Sequence, residues 1–221
     1  MWAAVHAERA ALAEDLAELD DGGWAAPSLC GRWTVEDVVA HLTAAASTGT
    51  VRWITSIVGA RFDADLHNAR RLAEHRGATP AETLDRFRAV VTSTRAASGH
   101  TPAWLGEIVV HGQDVRRPLG IRRTPSIESL TAVATFYASR DFTVNSKKTV
   151  AGLRLEATDG PFAHGDGPLV RGPSVALTMA MAGRATYCDD LDGPGVPILR
   201  WRCANQQLAF RTSPGCAPPR S

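Results

Sequence analysis

The sequence predicts an α+β protein in which a helical N-terminal bundle precedes a small C-terminal α+β domain. Apolar residues recur at helical spacing through about the first 145 residues, a strand-like alternation follows Lys147 and Lys148, and glycine and proline interrupt the second half. We expect a four-helix bundle over residues 1–146, a small α+β domain over residues 147–212 and a disordered tail over residues 213–221.

The composition restricts the classes of function. The chain has 221 residues, is 44% hydrophobic and carries a formal net charge of +1, so it can build a core and has no excess positive charge for nucleic acid. It contains neither a membrane-length apolar run nor a signal-peptide pattern, so we expect a cytoplasmic protein. Its four scattered cysteines contain no C-x-x-C pair, which favours neither a disulfide framework nor a zinc ribbon.

Start signals divide the N-terminal half into helices. Residues 2–19 carry apolar side chains at helical spacing, and a Gly-Gly pair ends that helix. The next helix begins at Thr34, which is a good N-cap, with Asp37 at the third helical position. Trp33 precedes the cap as part of a hydrophobic staple. These residues predict a well-defined helix that carries His41.

Two later helices have starts that contain proline. Thr79-Pro-Ala-Glu82 supplies an N-cap, a proline at the first helical position and a glutamate at the third. Thr101 and Pro102 start the next helix in the same way, and Pro118 ends it. This last helix is rich in apolar residues and also carries acidic and imidazole side chains.

The C-terminal part mixes strand and helix signals. Residues 153–159 alternate like a strand, and Gly172-Pro173 opens a short helix that Gly183 closes. Residues 196–210 are interpreted as one or two further strands.

Glu107 and His111 form the strongest functional signal. Their spacing of four places both side chains on one helix face, and His41 lies at the edge of the apolar stripe of its own helix. If the three meet, they form a His2Glu metal site with open positions, which is typical of a catalytic site. The alternative is a solvated glutamate, a surface histidine and a core histidine with an ordinary partner.

Two neighbouring residues allow alternatives. Asp114, one turn beyond His111, is either a hydrogen-bond acceptor near the metal or an ion-pair partner of Arg116 or Arg117, and the ion pair is the favoured interpretation. Cys30 is either a thiolate ligand or, the favoured interpretation, a small buried apolar residue.

Two segments carry a family resemblance. Trp33-Thr-Val-Glu-Asp-Val-Val-Ala-His41-Leu resembles the W-T-V-x-D-V-V-x-H-L segment of the mycothiol-dependent maleylpyruvate isomerase N-terminal domain, one of the DinB/YfiT-like metal-binding four-helix bundles. The stretch from Glu107 to Gly120 resembles the second signature of the same group. Residues 152–159, 170–174 and 182–184 are more loosely similar to its sterol-carrier-like C-terminal domain.

The resemblance implies a site and a chemistry. His41, Glu107 and His111 would bind a divalent metal, usually zinc, and mycothiol would be the thiol cofactor. The implied reaction is isomerisation of a small electrophile or transfer of the thiol to it. An arginine of the C-terminal domain would hold a substrate carboxylate, with Arg184 as the first candidate and Arg200 as the second.

We expect small-molecule partners, bound in the cleft between the two domains, with no nucleic acid and no membrane, in a monomer or homodimer. Two other functions are compatible with the sequence. One is a non-catalytic protein of the same fold that binds a metal, a thiol or another small ligand. The other is a structural helical protein in which the three residues never converge.

Overall fold

The structure, a computed structural model, describes residues 1–31, 33–49, 71–96, 98–142 and 144–212, with side chains as far as residue 206. Internal contacts divide these residues into an N-terminal unit, Met1–Arg122, and a C-terminal unit, Arg123–Thr212. None of the helices in these ranges combines the length and the apolar character that a membrane span requires. The predicted disordered tail lies outside the described residues.

The N-terminal unit is helical throughout its described elements. They are α1 (Trp2–Ala17), α2 (Asp21–Ala25), α3 (Val35–Ser47), α4 (Pro80–Arg88) and α5 (Thr101–Arg116). The four longer helices form a closed ring, because α1 packs against α4 and α5, and α3 packs against the same two helices. The predicted four-helix bundle is confirmed, and its core is made of valine, leucine, isoleucine and phenylalanine side chains.

Two of the predicted helix starts are confirmed in atomic detail. The Thr34 side chain accepts from the backbone N–H of Asp37, and the Asp37 carboxylate accepts from the backbone N–H of Thr34, which completes a capping box. Thr79 caps α4 by accepting from the N–H of Glu82. For α5 the prediction was wrong by one residue, because Thr101 is already helical and His100 occupies the N-cap position without a side-chain hydrogen bond.

The C-terminal unit combines helices with a small sheet. Its elements are α6 (Ile127–Ser139), α7 (Ser146–Val150), β1 (Arg154–Ala157), β2 (Ala163–His164), β3 (Leu169–Gly172), α8 (Ser174–Met181), a 3-10 helix (Ala185–Asp190) and α9 (Val196–Thr212). The strand order is β2-β1-β3, with β2 antiparallel and β3 parallel to β1. The strand predicted within residues 153–159 and the short helix after Pro173 are both present, so the α+β class is confirmed.

The strands predicted within residues 196–210 are wrong, since this segment forms the helix α9. Among the side chains of α9 that the structure describes, those of Val196, Leu199 and Cys203 are buried, and their spacing of three and four is that of a helix face. Pro197 is tolerated because it lies in the first turn, where its missing N–H has no intrahelical partner. The apolar residues between these positions, including Trp201, are exposed and do not form a second buried face.

The two compact units divide earlier than the predicted domain boundary after residue 146. Helix α6 packs against α7 and α8 and therefore groups with the C-terminal unit. The loop between β1 and β2 also lies close to α6 at Gly160, where a Cβ atom would lie only 2.7 Å from Cγ2 of Ile127. The predicted boundary follows the change in sequence pattern, whereas the division of the structure follows packing.

Candidate metal centre

His41, Glu107 and His111 meet in the N-terminal unit. Nε2 of His41, on α3, lies 2.7 Å from Oε1 of Glu107, on α5, and Nε2 of His111 lies 3.7 Å from the same oxygen. The two imidazole rings stand edge to face, with their centroids 5.0 Å apart. The three side chains therefore converge, contrary to the structural alternative in which they stay apart.

The geometry and the donor types fit a single divalent metal ion. The site offers two imidazole nitrogens and one carboxylate oxygen, all within 4.8 Å of one another. Ligands bound about 2 Å from a tetrahedral zinc ion lie roughly 3.3 Å apart, and the two nitrogen–oxygen distances lie on either side of that value. A His2Glu set leaves at least one coordination position open to another ligand.

Asp114 holds the second nitrogen of His111. Nδ1 of His111 lies 3.0 Å from Oδ2 of Asp114, so Nδ1–H donates to the carboxylate and Nε2 faces Glu107. Such a carboxylate partner fixes the tautomer and the ring orientation of a metal-binding histidine. Of the two ion pairs predicted for Asp114, the one with Arg116 is wrong, since the Arg116 guanidinium instead donates to Oδ2 of Asp15 at 2.7 Å. The pair with Arg117 stays a prediction.

The electrostatic surroundings of His111 favour a cation. Burial alone would lower the pKa of His111, but hydrogen bonds with Asp114 and Cys30 and the charge of Glu107 together raise this pKa to about 10. Groups that stabilise an imidazolium so strongly also stabilise a metal cation in its place, because both carry positive charge into the same anionic surroundings.

A tight loop before α3 forms one wall of the site. Ser28 donates from both its N–H and its Oγ to the carbonyl of Trp33, which closes the loop. Gly31 at the turn has a φ of +64°, a conformation that residues with a Cβ rarely adopt. The N–H of Leu29 donates to the carbonyl of Asp114, which ties the loop directly to α5.

The loop brings two side chains close to the site: Trp33, whose proximity the sequence analysis missed, and Cys30, which it considered as a possible ligand. The Trp33 ring lies 4.9 Å from the His41 ring and 6.3 Å from the His111 ring, measured between centroids. Cys30 is only partly buried and forms a second potential donor group with His111 and Asp114. Both immediately precede the capped helix that carries His41, and that position in the sequence was the available signal.

Arg9 is a second residue that the sequence analysis missed. It lies on α1, its side chain is buried, and Nη1 donates to the carbonyls of Ser93 at 2.8 Å and of Val90 at 3.3 Å. Burial lowers the pKa of Arg9, and the charge of Glu107 opposes that shift. No sequence motif marks Arg9, because the carbonyl groups that it binds belong to residues far away in the sequence.

The two arginines proposed for substrate binding lie in the C-terminal unit. Arg184 is half-buried just before the 3-10 helix, and its Nη1 donates to the carbonyl of Ala182 at 2.7 Å. Arg200 lies on α9, where its exposed guanidinium pairs with Asp189 at 2.7 Å. Their role in holding a substrate carboxylate stays a prediction.

The fold and the cluster together define a class of protein: a four-helix bundle with a His2Glu cluster, followed by a small α+β unit. Residues 5–104 match the family model described as the mycothiol maleylpyruvate isomerase N-terminal domain. This match supports the family resemblance that the sequence predicted for the N-terminal part of the chain. The match includes His41 and ends shortly before Glu107.

Two solved structures resemble most of the chain. A histidine-to-alanine mutant of the mycothiol-dependent maleylpyruvate isomerase has a TM-score of 0.56 at 14% identity, and the match covers 87% of this chain and 91% of that one. The unsubstituted isomerase has a TM-score of 0.54 at 13% identity with the same coverage. At such low sequence identity, the structural similarity shows a shared fold and nothing more. Among curated proteins, none matches the chain.

Proposed function

We propose that this protein is a metal-dependent enzyme that uses mycothiol, or a similar low-molecular-weight thiol, on a small electrophilic substrate. The observation that carries the proposal is the convergence of His41, Glu107 and His111, with Asp114 holding the outer nitrogen of His111. The family of the N-terminal domain and the name of the isomerase that shares the fold both support a thiol-dependent reaction.

In this proposal the metal ligands are His41, Glu107 and His111, with zinc as the expected ion. When bound, such a metal would stabilise the thiolate form of a thiol at neutral pH. The chain's own residues hold and shield the site. Asp114 keeps Nε2 of His111 turned inwards, and the Trp33 ring covers the His41 ring. The ligand side chains retain 12–20% of their exposure, which leaves access for a small molecule.

The substrate end of the proposal depends on an arginine. A guanidinium binds a carboxylate through two parallel hydrogen bonds, which would orient an acidic electrophile such as maleylpyruvate. Arg184 is the first candidate and Arg200 the second. Replacing each arginine by lysine keeps the positive charge but removes the bidentate geometry. We expect KM for the acidic substrate to rise in the variant that replaces the arginine which binds the substrate.

Metal analysis of the purified protein tests the ligand set. We expect about one equivalent of a divalent metal in the unsubstituted protein and loss of that metal in His111→Ala, because a two-ligand site holds zinc weakly. His164→Ala serves as the matched control, since His164 is exposed on β2 of the C-terminal unit. Equal metal content in the two variants would overturn the ligand assignment.

A pair of activity assays separates isomerisation, thiol transfer and simple binding. The metal-loaded protein is incubated with mycothiol and either maleylpyruvate or a generic electrophile such as chlorodinitrobenzene. Turnover of the first indicates an isomerase, and turnover of the second indicates a transferase. If mycothiol binds but neither substrate is consumed, the non-catalytic binding protein is supported instead.

A further inference from the structure

A cavity of about 300 Å³ lies within the C-terminal unit. Its walls come from the end of α6, from α7 with the turn that follows it, and from β2 with the glycine that follows it. This volume is at the lower end of the range for small-molecule sites. None of the residues that line the cavity is a candidate metal ligand, so the cavity is separate from the site described above.

The turn after α7 forms one wall of the cavity and is held in place from two sides. Nη1 of Arg202, on α9, donates to the carbonyl groups of Thr149 and Ala151 at 2.9 and 2.8 Å. From the other side, Gly165 packs so closely that a Cβ atom there would collide with the carbonyl oxygen of Leu153. The wall is therefore fixed by the fold, which is typical of sites that are formed before their ligand arrives.

The lining combines an apolar floor with two groups that can bind an anion. The apolar floor consists of three buried residues, Ala138, Val150 and Leu153. Lys147, exposed on α7, and His164, exposed on β2, line the same cavity from different elements. No acidic residue lines the cavity. The lining thus matches a molecule that has an apolar part and a negative charge.

The two polar side chains are available to a ligand. Neither the Lys147 ammonium group nor the His164 ring makes a hydrogen bond or an ion pair with any other residue that the structure describes. The adjacent Lys148 differs, because its Nζ lies 3.9 Å from Oδ2 of Asp141 and it does not line the cavity. An imidazole also keeps one N–H donor when it is neutral, so His164 can donate to an anion in either protonation state.

We propose that this cavity is a binding site for a small carboxylate that has an apolar body. The carboxylate accepts hydrogen bonds from Nζ of Lys147 and from a ring N–H of His164, and the apolar body packs against the apolar floor. The site goes beyond the proposed function and does not depend on it, because all of its residues lie in the C-terminal unit and none of them is a candidate metal ligand.

An NMR titration of the full-length, isotope-labelled protein tests the proposal. The probes are benzoate and hexanoate, and the controls are the corresponding uncharged amides. We expect both acids to cause saturable shifts of the amide signals of Gly152 and Gly165, which line the cavity. The uncharged amides should bind about fivefold more weakly, since they form no ion pair. The proposal is wrong if neither acid gives saturable shifts at these glycines, or if acid and amide bind equally well.

Two neighbouring lysines provide a matched pair of variants. Lys147→Gln should weaken benzoate binding about three- to fivefold, because an exposed cation that pairs with the carboxylate is lost. Lys148→Gln removes the same charge from the next position and should leave the affinity unchanged, since Lys148 does not line the cavity. An equal loss in both variants would mean that only the overall positive charge attracts the anion, which contradicts the proposed site.

A third variant tests the cavity itself. Ala151 is exposed and its backbone φ is −55°, so a larger side chain can be accommodated there without backbone strain. Ala151→Phe should fill part of the cavity and weaken binding of both the acids and the amides by about tenfold or more, while the NMR spectrum shows a folded protein. Unchanged binding in this folded variant would place the probes elsewhere and exclude the cavity as their site.

Discussion

The two units bury different kinds of polar groups. Among the described residues, every buried charged side chain belongs to the N-terminal unit: Arg9, Glu36, Arg71, Asp114 and Arg116. The buried polar residues described in the C-terminal unit carry hydroxyl groups only, as in Ser146, Thr149 and Thr178, which donate to carbonyls of nearby residues in the chain.

The difference shows that the buried charges of the described residues are concentrated in the N-terminal unit, which holds the candidate metal site. Burying a charge costs several kcal/mol unless a partner compensates, so buried charges are retained where structure or function requires them. Helix α5 carries two such groups within one turn: Asp114 holds His111, and Arg116 pairs with Asp15 on α1. The Asp114–His111 pair therefore orients a residue of the candidate metal site. The neighbouring Arg116–Asp15 pair attaches α5, the helix that carries this residue, to α1.

The largest expected effect follows from breaking the Arg116 network. In Asp15→Ala, the guanidinium of Arg116, which is 1% exposed, loses its closest anion, while the nearest other carboxylate, that of Glu8, lies 4.0 Å away. We expect the free energy of unfolding of the N-terminal unit to fall by about 3–5 kcal/mol. Chemical denaturation in a Trp201→Phe background measures this, since all other tryptophans belong to Met1–Arg122.

The matched control comes from the C-terminal unit. Asp189 pairs with Arg200 at the same 2.7 Å, but both side chains are largely exposed. Asp189→Ala should lower stability by less than about 1 kcal/mol, because water screens the pair and solvates the freed arginine. If the two variants lost equal stability, burial would not be the feature that distinguishes the two units.

A smaller effect is expected from neutralising the partner of His111. Asp114→Asn keeps the size of the side chain but removes the carboxylate that accepts from Nδ1 of His111. We expect affinity for zinc to fall about 10- to 100-fold, measured by titration against a competing chelator. Asp85→Asn is the control, since Asp85 is an exposed residue of α4, and its affinity should not change. An unchanged affinity in Asp114→Asn would mean that Asp114 does not orient the ligand.

What the sequence could predict depended on how local each signal was. Glu107 and His111 are four residues apart on one helix, and the helix of His41 starts with a complete capping box, so short segments were enough to nominate the site. The Arg116–Asp15 pair joins residues 101 positions apart, and no short pattern encodes it.

The helix α9 shows a second limit. Residues 196–210 alternate short apolar and polar stretches, and such a pattern fits a strand as well as a helix when it is considered alone. Tertiary packing decided the outcome, because burying Leu199 and Cys203 together requires helical spacing. In the N-terminal unit, by contrast, the caps of α3 and α4 indicated helices without any knowledge of packing.

The smallest expected effect comes from removing an N-cap side chain. It tests whether the cap of α3 also helps to hold the candidate metal site in place. Thr34→Ala removes the acceptor for the N–H of Asp37, and Ser126→Ala removes the equivalent acceptor for the N–H of Ser129 at the start of α6. Each should cost about 1 kcal/mol of stability. Only Thr34→Ala should also weaken zinc binding by a few-fold, because Thr34 sets the start of the helix that carries His41. Equal zinc affinity in the two variants would show that packing alone holds His41 in place.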